Sequence, residues 1–347
     1  MLSRICILPR VLRDVSGVLT STTILGRDYG VPFAVAPTAY QKLASPGGEI
    51  DMANASISLG TNLVLSSNAT TSLEDVSGAL AAHSRHVRDP RPWFQLYFIK
   101  DRGVTSTLIK RAEKAGYEAL VLTVDTTTMG NRVHERHHPL SLPSGIRMAN
   151  KDAREGGGVS KGRLVLNAST AAEARGVLAQ HGSKLIDPAL TWQESIPWLR
   201  TQTNMKIILK GIMTAEDALL AVEAGVDAIV VSNHGGRQLD GVPATLEVLP
   251  EITEAVKRRI PVIFDSGITR GSDIFKALAL GADLCLVGRC ALWGLAYDGQ
   301  KGVEAVLHML ERELHRTMML AGSKTVDDIS RSMLGVRKTN GFGISRL

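Results

Sequence analysis

Nine consecutive residues, Ser232-Asn233-His234-Gly235-Gly236-Arg237-Gln238-Leu239-Asp240, place an imidazole, two glycines and a guanidinium within one short stretch. His234 can exchange a proton near neutral pH. Arg237 can grip a carboxylate through two parallel hydrogen bonds, and the glycines let the backbone pass close to a bulky ligand. The stretch directly follows Ala228-Ile229-Val230-Val231, a β-branched apolar run that reads as a buried parallel strand. A polar loop with an incidental histidine would look similar in isolation. Other apolar runs of this chain also end in residues able to do chemistry: Tyr97, Asp125, Lys210 and Asp265.

Such runs recur eight times, at Pro32–Ala36, Asn62–Ser66, Trp93–Phe98, Ala119–Val124, Lys206–Lys210, Ala228–Ser232, Pro261–Asp265 and Leu284–Gly288. Amphipathic helical segments closed by Gly116, Gly225 and Gly281 lie between them, and Thr214-Ala215-Glu216-Asp217 supplies a helix N-cap signal. Eight strand-helix units predict an α/β fold, a (β/α)8 TIM barrel over residues of about 31–320, with its active site at the C-terminal ends of the strands. The chain, 1–347, reads as a single domain without a Pro/Ser/Gly linker. The spacing breaks once. About eighty residues separate Asp125 from Lys206, giving a long loop between strands 4 and 5. We read residues of about 126–190 as a lid, mobile in its middle, Arg147 to Gly162, where glycines and charges concentrate.

The Ser232–Asp240 run, continued by Val242-Pro243-Ala244-Thr245, resembles the signature of the FMN-dependent 2-hydroxy-acid oxidases and dehydrogenases, the glycolate oxidase and lactate oxidase family. The resemblance continues in order through Ala36-Pro37-Thr38-Ala39, Leu65-Ser66-Ser67, Phe94-Gln95-Leu96-Tyr97, Leu122-Thr123-Val124-Asp125, Leu209-Lys210-Gly211, Phe264-Asp265-Ser266-Gly267 and Val287-Gly288-Arg289. It implies an (S)-2-hydroxy-acid oxidase or related dehydrogenase that takes an L-2-hydroxy acid to the 2-oxo acid. FMN would be reoxidised by oxygen, giving hydrogen peroxide, or by another acceptor. By the same resemblance Pro37, Thr38, Ala39, Ser66, Gln95 and Thr123 hold the flavin ring. Lys210 lies at its pyrimidine edge, and Asp265, Ser266, Gly267, Gly288 and Arg289 hold the phosphoribityl group. Arg132 and Arg237 would bind the substrate carboxylate, Tyr97 the hydroxyl, and His234, supported by Asp125, would be the base. A hydride route and a carbanion route both use that base. A homo-oligomer, a tetramer by resemblance, is expected.

The chain departs from the family pattern at its start. The family usually carries a further N-terminal stretch with a tyrosine that helps bind the carboxylate, and a flavin-binding remnant with little turnover is the alternative reading. The short start should also leave the first barrel strand with little preceding chain to cover it. Asn68 replaces a bulky aromatic common at the substrate mouth, and Thr269 stands where many members have a phosphate-binding arginine. An isomerase or nucleotide dehydrogenase on another FMN barrel would lack the Ser232–Asp240 run.

The composition, 44% hydrophobic, supports an ample core, and no apolar run approaches the roughly 20 residues of a membrane span. Forty basic against 34 acidic residues leave a formal charge of +6, spread without basic runs or interleaved aromatics. That favours anionic small molecules and gives no nucleic-acid surface. Cys6, Cys285 and Cys290 lack disulfide or metal spacing. His134-Glu135-Arg136-His137-His138 lacks the His-Glu-x-x-His arrangement, so no metal is expected. No Gly-x-Gly-x-x-Gly follows a strand and no Walker-type loop is present, which leaves nicotinamide and nucleoside triphosphate without an anchor. Ser345-Arg346-Leu347 is close to the peroxisomal address Ser-Lys-Leu, so a peroxisomal location is expected, otherwise a cytoplasmic one.

Overall fold

Alternation decides where each side chain of an extended strand points, and in this chain it divides apolar from polar along the strands themselves. The computed structural model describes residues 4–83, 91–132, 142–151, 170–181, 185–338 and 343–347. The chain opens with β1 (Ile5–Ile7) and a hairpin of β2 (Thr22–Ile24) and β3 (Arg27–Tyr29). Eight strands then form one parallel sheet: β4 (Phe33–Val35), β5 (Val64–Ser66), β6 (Trp93–Leu96), β7 (Ala119–Thr123), β8 (Lys206–Ile212), β9 (Ala228–Val231), β10 (Val262–Asp265) and β11 (Leu284–Val287). Their order is β4-β11-β10-β9-β8-β7-β6-β5. A parallel bridge between Val35 and Leu63, with the Val35 N–H donating to the Asn62 carbonyl at 2.9 Å, joins the two edges and closes the barrel.

Most of the expected runs exceed the strands they form by a residue or two at one end, where the chain turns out of the ladder. β8 is the exception. It continues past Lys210 to Ile212 through an irregularity in its pairing with β9.

Around the barrel run α1 (Gly48–Ser58), α2 (Leu73–His83), α3 (Arg102–Lys114), α4 (Ala171–His181), α5 (Trp192–Gln202), α6 (Ala215–Glu223), α7 (Thr245–Val256), α8 (Gly271–Ala279) and α9 (Arg289–Ala321). The expected glycines follow α3, α6 and α8, and the Thr214 side chain caps α6 by accepting from the Asp217 N–H. Strand residues facing the helices, such as Phe33, Phe94, Leu120, Leu209 and Phe264, join the main core. Inward residues form a second cluster, including Ala34, Val64, Trp93, Val121, Ile208, Val230, Ile263 and Leu286. Two residues further along the same strands, the same inward face carries Ser66, Gln95, Thr123, Lys210, Ser232 and Asp265. An apolar plug therefore underlies a polar layer at the strands' C-terminal ends.

The expectation that the first barrel strand lacks preceding chain to cover it is corrected here. The β2–β3 hairpin buries Ile24 in the inner cluster and packs Leu25 and Tyr29 against it. Near the other end β12 (Leu334–Arg337) pairs antiparallel with β1 and with β13 (Ile344–Arg346), so residues 344–346 form a strand. Cys285 is fully buried in the core.

The 126–190 span is not simply a loop, since α4 lies within it. Its 148–151 segment is tied down. The Ala149 N–H donates to the Ala69 carbonyl at 3.0 Å, Asn150 Oδ1 accepts from the Leu73 N–H at 2.8 Å, and Arg111 donates to the Asn150 carbonyl at 3.2 Å. The Gly156-Gly157-Gly158 run and the His134–His138 segment lie outside the described residues. Among the described residues no helix is long and apolar enough to cross a membrane, and no cluster of three or more His, Cys, Asp or Glu is placed to hold a metal.

Candidate active site

The loop after β9 owes its shape to three successive left-handed residues, His234, Gly235 and Gly236, with φ of 58°, 71° and 74°. For His234 this region is uncommon. Hydrogen bonds hold it there: the His234 N–H donates to Ser232 Oγ at 3.1 Å and the Gly235 N–H to Ser266 Oγ at 3.0 Å. Asn233 Oδ1 accepts from the Gly236 N–H at 3.0 Å. The loop so bent turns the imidazole toward the end of β7.

There His234 Nδ1 lies 2.8 Å from Asp125 Oδ1. A carboxylate only accepts, so Nδ1 carries the proton and Nε2 presents the lone pair. Thr126 Oγ1 donates to the same Oδ1 at 2.8 Å. Burial pushes the His234 pKa below its ordinary value and the Lys210 charge adds to that, while the Asp125 hydrogen bond opposes both. Burial works to raise the Asp125 pKa, but the His234 hydrogen bond and the Lys210 charge outweigh it and hold the carboxyl below its usual range. The resting pair is thus neutral imidazole beside carboxylate. Backbone proximity fixes Asp125 from the far side: a Cβ on Gly211 would fall 2.7 Å from the Asp125 Cβ.

Lys210 is no solvated tip, being 5% exposed. Its Nζ donates to Ser232 Oγ at 2.9 Å and stands 3.4 Å from Asp265 Oδ2 and 4.0 Å from Asp125 Oδ2. A buried cation needs such company. Asp125 Oδ2 is buried with no hydrogen-bond partner among the described residues, and faces Lys210 only at that longer distance.

Tyr97, half-buried past the end of β6, feels Asp125, Arg132, Arg237 and Tyr40 electrostatically. Burial and the Asp125 charge push its pKa well up, so the phenol keeps its proton. Lys151 Nζ lies 5.5 Å from its ring centroid, and the Tyr40 hydroxyl reaches Met148 Sδ at 3.7 Å, so the 148–151 segment walls this side of the mouth. Arg132 lies against the β9 loop, its Nε donating to the Arg237 carbonyl at 3.3 Å. The predicted residues Tyr97, Asp125, Arg132, Lys210, His234 and Arg237 therefore gather at one mouth. Such an arrangement can bind an anion, hold a hydroxyl and remove a proton. Ser232 and Thr126, which orient His234 and Asp125, were not singled out in the sequence; Ser232 was detectable as the inward residue two beyond Val230.

The barrel's polar layer continues as a chain of side chains. Gln95 Nε2 donates to Thr123 Oγ1 at 2.9 Å, and its Oε1 accepts from Ser66 Oγ and the Ser67 N–H at 3.3 Å each. The helix N-termini at the β10 and β11 ends differ. At α8 the Asp273 carboxylate accepts from the Thr269 N–H, the Thr269 hydroxyl and the Arg270 N–H. At α9 the N-cap is Gly288, with no side-chain cap, and a Cβ there would meet only Ala36 at 3.8 Å.

The family model described as FMN-dependent dehydrogenase matches residues 1–336. This chain belongs to the FMN-dependent dehydrogenase family. It is 42% identical to the 2-hydroxyacid oxidase 1 of Mus musculus, covering 99% of this chain and 88% of that protein. It is 44% identical to the L-lactate oxidase of Nostoc sp., covering 95% of this chain and 87% of that one. A mandelate oxidase variant solved with (S)-mandelic acid superposes with a TM-score of 0.81 at 37% identity, over 99% of this chain and 88% of that one.

FMN is the cofactor of this family, and the residues present fit it. The N-terminus of α9, which has no side-chain cap, suits a phosphate. Gly288 and Arg289 stand there beside the left-handed Ser266–Gly267 turn, with φ of 78° and 89°. The α8 terminus is already filled by Asp273, so Thr269 has no donor left to offer. Asp265 turns its carboxylate to Ser266 Oγ, at 2.7 Å, and to Lys210. Pro37, Thr38 and Ala39 follow β4, next to β11 in the barrel.

Proposed function

We propose that this chain oxidises an L-2-hydroxy acid to the corresponding 2-oxo acid. The observation that carries the reading is the neutral His234–Asp125 pair at the same mouth as Arg132, Arg237 and a protonated Tyr97. Its relatives include proteins named 2-hydroxyacid oxidase and L-lactate oxidase, and a neighbouring structure contains (S)-mandelic acid.

Arg132 and Arg237 bind the carboxylate and fix the acid's orientation. Tyr97 donates to the oxygen that becomes the carbonyl. His234 Nε2 takes a substrate proton, and Asp125 stabilises the resulting imidazolium through Nδ1. Lys210 is a buried fixed cation that would stabilise negative charge on a reduced flavin. FMN, when bound, would supply the electron acceptor, with oxygen as the proposed final oxidant giving hydrogen peroxide. Pro37, Thr38, Ala39, Ser66, Gln95 and Thr123 would hold its ring, and Ser266, Gly267, Gly288 and Arg289 its phosphoribityl arm. Residues 1–347 work as one domain, a reading supported by the pairing of β1 with β12.

The test is anaerobic addition of glycolate, L-lactate, L-mandelate and a longer-chain acid to the flavin-loaded protein. Bleaching by L acids and not by their D enantiomers, with peroxide on admission of air, is the expected result. A bound flavin that no acid bleaches would overturn the proposal in favour of a non-catalytic flavin-binding remnant.

A further inference from the structure

Gln238 has no role in the reading above, although it stands beside Arg237. A carboxamide can make four hydrogen bonds, two as acceptor and two as donor, and those of Gln238 all reach one segment. Its Oε1 accepts from the Gly130 N–H at 3.1 Å and from Arg132 Nη2 at 3.2 Å. Its Nε2 donates to the carbonyls of Asp125 at 3.2 Å and Thr128 at 3.1 Å. Two donors on one side and two carbonyls on the other fix which end of the amide is oxygen.

The backbones meet as well. A Cβ on Gly130 would lie 2.4 Å from the Arg237 carbonyl oxygen and 2.7 Å from the Gln238 Cα, so only glycine permits this approach. The Arg132 Nε bond to the Arg237 carbonyl closes the same seam.

The seam joins two loops that each carry half of the site. The loop leaving β7 brings Asp125 and Arg132, and the loop leaving β9 brings His234 and Arg237. Strand pairing fixes where each loop starts, but not how far apart its outer residues stand. We propose that Gln238 is a positioning residue that clamps the 125–132 loop onto the β9 loop and thereby sets the separation of Arg132 from Arg237. It touches no substrate and acts through Arg132. The proposal rests on reading those two arginines as the carboxylate site. Glutamine is the residue the position requires. A glutamate would face the Asp125 and Thr128 carbonyls with no hydrogen to give, and an asparagine, one methylene shorter, would not span all four partners.

The experiment is a double-mutant cycle on the FMN-loaded protein. Oxalate is titrated against the wild type, Gln238→Met, Arg132→Met and the double variant, following the flavin absorbance, and each protein is also reduced anaerobically by the acid that best bleaches the wild type. Gln238→Met should keep the flavin spectrum, bind oxalate about tenfold more weakly and lose less in limiting reduction rate than in affinity. In the Arg132→Met background the same change should have less than a twofold further effect. Wild-type oxalate affinity in Gln238→Met overturns the proposal, and so does a fully additive loss in the double variant. Should Gln238→Met fail to fold, Gly130→Ala wedges the same seam with Gln238 intact and must also weaken oxalate; unchanged affinity there overturns the clamp. Failure of the underlying reading is separable, because Arg132→Met alone would then leave oxalate binding unchanged.

Discussion

His234 is held in a backbone region that costs on the order of 1–3 kcal/mol, and Ser232, Ser266 and Asp125 offset that cost through the bonds that also aim its ring. Its replacement by glutamine should leave FMN bound and cut flavin reduction by about 10² to 10⁴, the usual contribution of a positioned base; stopped-flow reduction at near-normal rate would contradict the assignment. The pH dependence follows from the depressed pKa. The base must be neutral, and a folded-state pKa below the ordinary 6.5 keeps it neutral at pH 7. The reduction rate should therefore be flat through neutrality and fall only as pH drops below that value. An acid limb centred above it would show that Asp125 outweighs burial. Arg237→Lys keeps the charge but loses the planar fork, so weaker acid binding with an intact flavin spectrum is expected in a titration. These residues were legible in the sequence through the resemblance carried by the Ser232–Asp240 run and the motifs at the other strand ends. Thr126 was not, because a hydroxyl is common in any loop and only the geometry reveals that it serves Asp125.

The barrel strands were equally legible, since eight apolar runs separated by glycine-closed helices admit few folds, and the polar residues two positions beyond each inward apolar one already describe the upper layer. Two elements stayed hidden. The β2–β3 hairpin spans three residues on each side, and α4 sits inside the 126–190 span read as a lid. The hairpin strands are too short to show a period, and the eleven residues of α4 carry little contrast between an apolar and a polar face. The hairpin matters because Ile24, 2% exposed, fills the inner cluster below the polar layer. Ile24→Ala should lower stability by about 2–5 kcal/mol, measured by urea denaturation, while leaving the flavin spectrum and oxalate affinity unchanged. An unaffected stability would mean that the hairpin only rests on the barrel and does not plug it.

At the scale of the whole molecule, α9 connects the proposed phosphate site to the surface. The helix begins at Arg289, and its backbone leaves helical geometry at Asp298 and Gly299. Residues 289–297 thus form a short helix of their own, with Ala291 and Leu295 fully buried in the core. Two large aromatics one turn apart on this segment, Trp293 and Tyr297, are 68% and 88% exposed. Leaving such rings in water forfeits the burial that stabilises associated chains, which would be recovered if a second copy of this chain covered them. Covering that face would anchor the segment whose N-terminus meets the phosphate, so assembly and cofactor retention should be linked. Light scattering should give a multiple of the chain mass for the wild type. Trp293→Ser with Tyr297→Ser should reduce it to the monomer and loosen FMN, seen as a rise in free-flavin fluorescence on dilution. A monomeric double variant that retains FMN as tightly as the wild type would show that the 289–297 segment is rigid on its own and that the two properties are independent.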